Sequence, residues 1–283
     1  MGKKGRDVMK TVSLIIPTIS DDEWLEEAVC SALAQRGDFE MEVIVAFDGP
    51  VPESDGDWKA HPRVRIIRAP ENRGIARTMN WAISHSSASF VARLDADDRC
   101  HPDRVGTQLR VLEQQPDVGV VGTLARRIGS DGHVRTTPVP SVRSGAIDAK
   151  ALDVTVTDVT AKLFQRNQVV SSSVLIRREL LEQQGGYRED LSQMEDYELI
   201  LRLAAHTRVL VVAKTLVDYR IHSNQITRTG RLRDRFLTQI TSAQRDLARQ
   251  QGVGLIRRWV YSSAWLGAQY LAILGIRRRR YDR

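Results

Sequence analysis

The chain has 283 residues, 42% of them hydrophobic and 27% charged, which is a globular composition and excludes a disordered chain. Its net charge of +7 is unevenly spread: residues 226–283 hold 13 Arg, no Lys and 3 Asp, a balance of +10, and residues 1–225 carry −3. A slightly acidic body excludes a nucleic-acid-binding domain built on it, and two cysteines exclude a disulfide framework or a zinc ribbon.

The first ten residues are basic, with no apolar run behind them long enough for a signal peptide, so a cytoplasmic location is expected. In the same reading Cys30 and Cys100 are buried free thiols of a reducing compartment. Val12 to Pro17 is short, β-branched and closed by proline, the pattern of a buried strand. Asp21 to Gln35 carries Trp24, Leu25, Ala28, Val29, Ala32 and Leu33 at helical spacing, with Asp21 or Asp22 placed to cap it. Glu42 to Phe47 and Val64 to Ile67 are further strands, Gly74 to Ser84 a helix, and Phe90 to Leu94 a fourth strand. Strand, helix, strand, strand, helix, strand in one run argues a parallel α/β sheet. Asp103 is placed to cap a helix through Val105 and Leu109. Residues 129–165, with Pro138, Pro140 and several Asp and Thr, read as a loop with short pieces of structure. Glu195 to Ala205 is a helix with Leu199, Ile200 and Leu203 on its core side.

In open α/β sheets ligands bind at the carboxyl ends of strands. Three such ends carry polar residues: Thr18, then Asp48, then Asp95, Asp97 and Asp98. Two carboxylates at i and i+2 in an extended turn face the same way, and hard oxygen ligands suit Mg²⁺ or Mn²⁺ together with phosphate oxygens. An Asp-rich turn or a helix cap accounts for the same residues. Asp48 reads either as a turn residue of an Asp-Gly pair or as an acceptor for a nucleotide base. Glu195, Asp196 and Glu198 read either as partners of a helix dipole or as the source of a general base.

Taken in order, Val12–Thr18, Glu42–Pro50, Asn72-Arg73-Gly74 with Asn80, Val91–Arg104, Asn167–Arg178, Gly185-Gly186-Tyr187, Glu195–Leu203 and Tyr219–Gln225 resemble the inverting family 2 glycosyltransferases. The resemblance covers about three quarters of the chain, from Val12 to about Thr227. It implies the GT-A fold, a mixed and mostly parallel central sheet flanked by helices. It divides the chain into a catalytic domain, residues 1–228, and a basic helical extension, residues 229–283. It implies a donor that is a nucleotide-diphosphate sugar, a UDP-sugar foremost, a glycan or lipid-linked acceptor, and Mn²⁺ or Mg²⁺. Pro17 and Thr18 would line the nucleotide pocket and Asp48 would bind the base. Arg73 and Arg77 would approach phosphate. Asp95 and Asp97 match the ends of the family's Asp-x-Asp, with Asp95 on ribose or sugar, Asp97 on the metal and Asp98 in support. Asp196 matches the catalytic base beside Glu195, and His222 a metal or diphosphate contact. Ser171 stands where many relatives have His.

In the tail, Leu232, Phe236, Ile240, Ala243 and Leu247 follow helical spacing, and Trp259 to Ile276 is then 18 residues without a charge between arginine clusters. A helix lying in the inner face of a membrane and a helix packed on the catalytic domain both fit this pattern. Two other functions fit parts of the sequence. A nucleotidyltransferase shares the sheet and the metal, but it wants a Gly-rich basic loop after the first strand, and Pro17-Thr18-Ile19-Ser20 is not one. A catalytically weak, nucleotide-sugar-binding module held at a membrane by the tail is the other.

Overall fold

The computed structural model describes residues 10–136, 146–149, 154–223, 225 and 234–273. The chain begins β1 (Thr11–Thr18), α1 (Glu23–Leu33), β2 (Glu40–Phe47), β3 (Val64–Arg68), α2 (Ile75–Ser84) and β4 (Phe90–Arg93). It continues through β5 (Arg99–Cys100), α3 (Arg104–Gln114), β6 (Val118–Gly129), β7 (Val134–Thr136), β8 (Ala146–Ala149) and β9 (Val154–Asp158). The last elements are β10 (Leu175–Arg177), α4 (Arg178–Gln183), α5 (Glu195–Ala204), β11 (Arg208–Ile221), α6 (Asp234–Gln250) and α7 (Leu255–Ile273).

The strands form one mixed sheet in the order β3-β2-β1-β4-β10-β6-β11-β9-β8. The β3-β2-β1-β4 half is parallel, and β10 enters antiparallel between β4 and β6. The apolar strand runs explain the parallel half, because side chains alternate between two covered faces. Leu14, Ile16, Val43, Val45 and Phe47 share one core with Leu25 and Val29 of α1 and Val105 and Leu109 of α3. Ile15, Ile44 and Ala46 point the other way and share a second core with Met79 of α2 and Leu199 of α5. Pro17 is tolerated in central β1 because β4 pairs only as far as Ile15, so the ladder on that side asks nothing of the missing N–H.

Asp22 caps α1, accepting from the amides of Trp24 and Leu25 at 3.1 Å each. Asp21 instead accepts from Ser54 and, at 2.6 Å, from Lys59 Nζ. Asp103 occupies the N-cap position of α3 without making a side-chain cap, so the sequence expectation holds for position only. Cys100 is buried, but Cys30 is exposed, which corrects the reading of both thiols as buried. Within 129–165 the described residues are more regular than a loop: β7, β8 and β9 extend the sheet, β9 on β11 and β8 on β9. Their brevity and their Thr and Asp content hide them from periodicity.

The tail helices pack on the body. Leu237, Ile240, Leu247 and Ala248 of α6 and Trp265 of α7 are buried in the same core as α2 and α5. Tyr197 of α5 donates to the Leu163 carbonyl, accepts from Gln244 of α6 at 3.0 Å and lies against Trp265 of α7. Among the described residues no helix is long and apolar enough to cross a membrane. Asn224, 226–233 and Leu274 to Arg283, with the arginine cluster 277–280, lie outside the described residues.

Candidate active site

The carboxyl end of β4 delivers Arg93 and, after Leu94, the turn Asp95 to Asp98. Asp98 is fully buried. Its Oδ1 accepts the Arg220 amide at 2.8 Å and its Oδ2 accepts the Ser172 hydroxyl. Burial, with Asp97 and Asp95 close by, pushes its pKa well above the carboxylate range. Arg220, also buried, donates Nε to the Asp97 carbonyl at 2.8 Å and Nη2 to Glu27 at 2.6 Å. Asp98 and Arg220 therefore fix the turn from beneath, which leaves Asp95 and Asp97 to face the site.

Asp97 Oδ2 lies 2.8 Å from His222 Nε2, although 125 residues separate them. The imidazole lies tilted against Trp24, with ring centroids 4.6 Å apart, and its buried Nδ1 has no hydrogen-bond partner among the described residues. Among the described residues no cluster of three or more His, Cys, Asp or Glu side chains surrounds one point. One carboxylate and one imidazole side by side nevertheless fit Mg²⁺ or Mn²⁺, which keep open positions for waters and substrate phosphates.

Arg93 lies within the stretch Val91–Arg104, but the resemblance gave it no role. It is 4% exposed. Its Nε donates to Asp95 at 2.8 Å and its Nη1 to Glu195 at 3.2 Å, and it lies 5.9 Å from the Tyr187 ring. A charged residue closing an otherwise apolar strand was the sequence signal for it. Burial works against the charge of Arg93, but Asp95, Tyr187, Glu195 and Asp196 outweigh it and hold the guanidinium firmly protonated. Burial likewise works to raise Asp95, but Arg93, Ser172 and Ser171 hold its carboxyl below the usual range. Glu195 goes the other way. Burial and the neighbouring Asp196 push it to about 7 despite Arg93. One cation cannot neutralise three neighbouring acids, so Glu195, the most buried of them, keeps a proton.

Asp196 sits at the start of α5, where Met194 takes the left-handed conformation (φ 61°). A left-handed non-glycine residue is strained, and such strain gathers at working sites. Asp196 lines a narrow cavity with Arg93, Asn167, Ser171 and Tyr187, and Glu195 does not. Burial raises the pKa of Asp196, with Arg93 opposing. Ser171 donates to Asp95 Oδ2 at 3.1 Å.

The nucleotide-side residues are split. Pro17 and Thr18 are buried at the end of β1, and the Thr18 hydroxyl donates to the Ser20 carbonyl at 2.6 Å. Asp48 accepts from the amides of Arg73 and Gly74 at 2.7 and 2.9 Å, so it holds the entry to α2. Arg73 lies over Trp81, and its buried Nε and Nη2 have no hydrogen-bond partner among the described residues. Arg77 is exposed and reaches Glu189 at 3.4 Å rather than the pocket of Asp48.

Residues 13–182, well over half of the chain, match the family described as Glycosyl transferase family 2. The chain belongs to glycosyltransferase family 2. It is similar to the amylovoran biosynthesis glycosyltransferase AmsE of Erwinia amylovora, 26% identical over 57% of this chain and 57% of that protein. It is also similar to the succinoglycan biosynthesis protein ExoU of Rhizobium meliloti, 29% identical over 69% of this chain and 57% of that one. The matched region is thus less than two thirds of the length of either relative. Its architecture is that of S. aureus TarS 1-349, a structure determined in complex with UDP-GlcNAc, at a TM-score of 0.66 and 17% identity over 93% of this chain and 73% of that one. The fold of this family 2 chain is therefore GT-A, as the sequence motifs implied.

Proposed function

We propose that the protein transfers a sugar, with inversion, from a nucleotide-diphosphate sugar to a hydroxyl of a glycan or lipid-linked acceptor in polysaccharide synthesis. A UDP-sugar is the leading donor; the TarS structure of the same fold holds UDP-GlcNAc. The observation that carries this reading is the meeting of Asp97 and His222 at one edge of the site while Asp196 lines the cavity at another, with Arg93 and Asp95 between.

Asp97 and His222 would hold Mg²⁺ or Mn²⁺, which neutralises charge on the departing diphosphate. Asp95, fixed by Arg93 and Ser171, is positioned to accept from a donor hydroxyl. Arg73 offers unpaired N–H groups to the nucleotide, next to the loop that Asp48 fixes. Asp196 takes the proton of the acceptor hydroxyl as that oxygen attacks the anomeric carbon. Its raised pKa brings it nearer the operating pH of a general base. A single displacement by the acceptor needs no covalent intermediate, and neither thiol is placed to form one: Cys100 is buried against Gln35 and Ser31.

The test is nucleoside diphosphate release by the full chain across a donor panel with Mn²⁺ or Mg²⁺. Asp196→Asn and Asp97→Ala are each expected to lower kcat by about 10²-fold or more while the fold is kept. Unchanged turnover in Asp196→Asn would remove it as the base. Unchanged metal dependence in Asp97→Ala would remove it as a ligand.

A further inference from the structure

Helix α7 has two faces of opposite character. On one, Ser262 and Trp265 are buried, Tyr261 meets Phe164 edge-on at 5.4 Å, and Trp265 lies against Tyr197. On the other, Ile256 is 80% exposed, Val260 59% and Trp259 53%, and Leu271 continues the same side. Residues 256, 259, 260, 263, 267 and 271 follow steps of three and four, so they form one stripe along a helix about 28 Å long. The residues at 263 and 267 are Ser and Gly, so the stripe carries no charge anywhere. The core already satisfies the opposite face, so folding alone gives no reason for the exposed one. An uncharged stripe led by exposed Ile256, Trp259 and Val260 marks an interaction site.

Charge identifies the occupant. Residues 247–281 contain seven arginines and no Asp or Glu. Arg257 sits within the first turn of α7, and Arg245 of α6 lies 4.5 Å from the Trp259 ring. A second copy of this chain is a poor partner, because two-fold pairing would set Arg257 and Arg258 of one copy near those of the other, and α7 has no Asp or Glu to offset them. The exposed stripe is also a ridge on one helix rather than a groove for a partner's side chains. An apolar ridge carrying tryptophan and bordered by arginines matches the boundary between lipid headgroups and acyl chains.

We infer that the outer face of α7 is a docking surface for an anionic lipid bilayer, with Ile256, Trp259 and Val260 entering the acyl boundary and Arg257 on the headgroup phosphates. The docking has a place in the molecule. Trp265, on the inner face of α7, contacts Tyr197, the residue after Asp196. A bilayer under α7 would therefore lie on the side of the body where α5 begins. If the transfer proposed above holds, a lipid-linked acceptor would meet Asp196 from that surface. The binding itself does not depend on that reaction.

The test is co-sedimentation of the full-length chain with vesicles of phosphatidylcholine alone and of phosphatidylcholine with phosphatidylglycerol. The chain is expected to pellet at least about tenfold more with the anionic vesicles, and less as salt rises. The double variant Ile256→Ser/Trp259→Ser is expected to lose that binding about tenfold, with its melting temperature kept because both side chains are solvent-facing. Arg257→Glu alone is expected to weaken binding to anionic vesicles and leave the neutral background unchanged. Nucleoside diphosphate release measured with a soluble acceptor would be the same in all three chains, which separates this proposal from the reaction. Equal pelleting of the wild type with both vesicle types, or of the double variant and the wild type, would overturn it. So would a stable dimer of the wild type that the double variant abolishes.

Discussion

At the residue scale the decisive arrangement is a single guanidinium among three carboxylates. Removing Arg93 would leave buried Glu195 and half-buried Asp95 without a cation, a change of the kind that costs up to about 3–5 kcal/mol. Because Arg93 is one charge against several, Glu195 stays protonated to about pH 7. The sign of its effect on stability follows. The folded chain holds a proton on Glu195 over the interval from its ordinary value of 4.5 to about 7, where the unfolded chain has released it. Stability therefore falls as pH rises through that interval, by on the order of 1–3 kcal/mol from this group. Glu195→Gln is expected to remove that part of the slope. Urea unfolding at about pH 5 and about pH 8 should show a smaller difference in the variant than in the wild type. Equal differences would mean that Glu195 is ionised in the fold. None of this coupling was legible in the chain as written. Arg93 and Glu195 lie 102 residues apart, and a salt bridge of that span leaves no local pattern. The carboxylates themselves were legible, because strand ends and a helix start are where a sheet of this kind gathers chemistry.

At the element scale the loop between α4 and α5 is held on α2 chiefly by Asn80, with Arg77 reaching Glu189 beside it. Asn80 donates to the Tyr187 carbonyl and accepts its amide, both at 2.8 Å, and so sets the ring of Tyr187 beside Arg93. Gly186 makes this possible twice over. It takes φ 67°, and a Cβ there would stand 2.5 Å from Asn80 Oδ1. Both the conformation and the close approach exclude a side chain. Gly186→Ala is expected to cost about 1–3 kcal/mol and to displace Tyr187, lowering kcat more than it changes donor KM. A variant with wild-type stability and turnover would show that the loop does not set the cavity wall. The elements themselves were largely readable. Apolar runs gave the strands of the parallel half, and the Asp21-Asp22 pair marked the start of α1, with Asp22 the residue that caps it. The far half of the sheet was less so, since β8 and β9 span four and five residues and owe their place to pairing, β9 on β11 and β8 on β9.

At the scale of the whole molecule, the division at residue 228 is proposed as a functional one, a catalytic body and a basic extension. It does not coincide with a break in the core. Leu237, Ile240, Leu247, Ala248 and Trp265 close the same apolar cluster that α2 and α5 build against the sheet. Burying a large aliphatic or aromatic side chain contributes about 1.5–3 kcal/mol, so the four large members of this set together rival the roughly 5–15 kcal/mol by which whole domains are stable. Gln244, fully buried, also meets the Tyr197 hydroxyl, which would lose that partner with α6. A chain cut after about residue 230 is therefore expected to lose cooperative unfolding or at least about 5 kcal/mol of stability, and to bind a hydrophobic dye that the full chain does not. The full chain is expected to unfold in one transition, with α6 melting together with the sheet. Calorimetry decides the matter. If the shortened chain unfolds at the temperature of the full one, the helices are an appendage and the core is complete without them. If it does not, α6 and α7, for all the contrast in charge between the tail and the −3 body, are part of the scaffold the body requires, with Trp265 of α7 packed on Tyr197 beside Asp196.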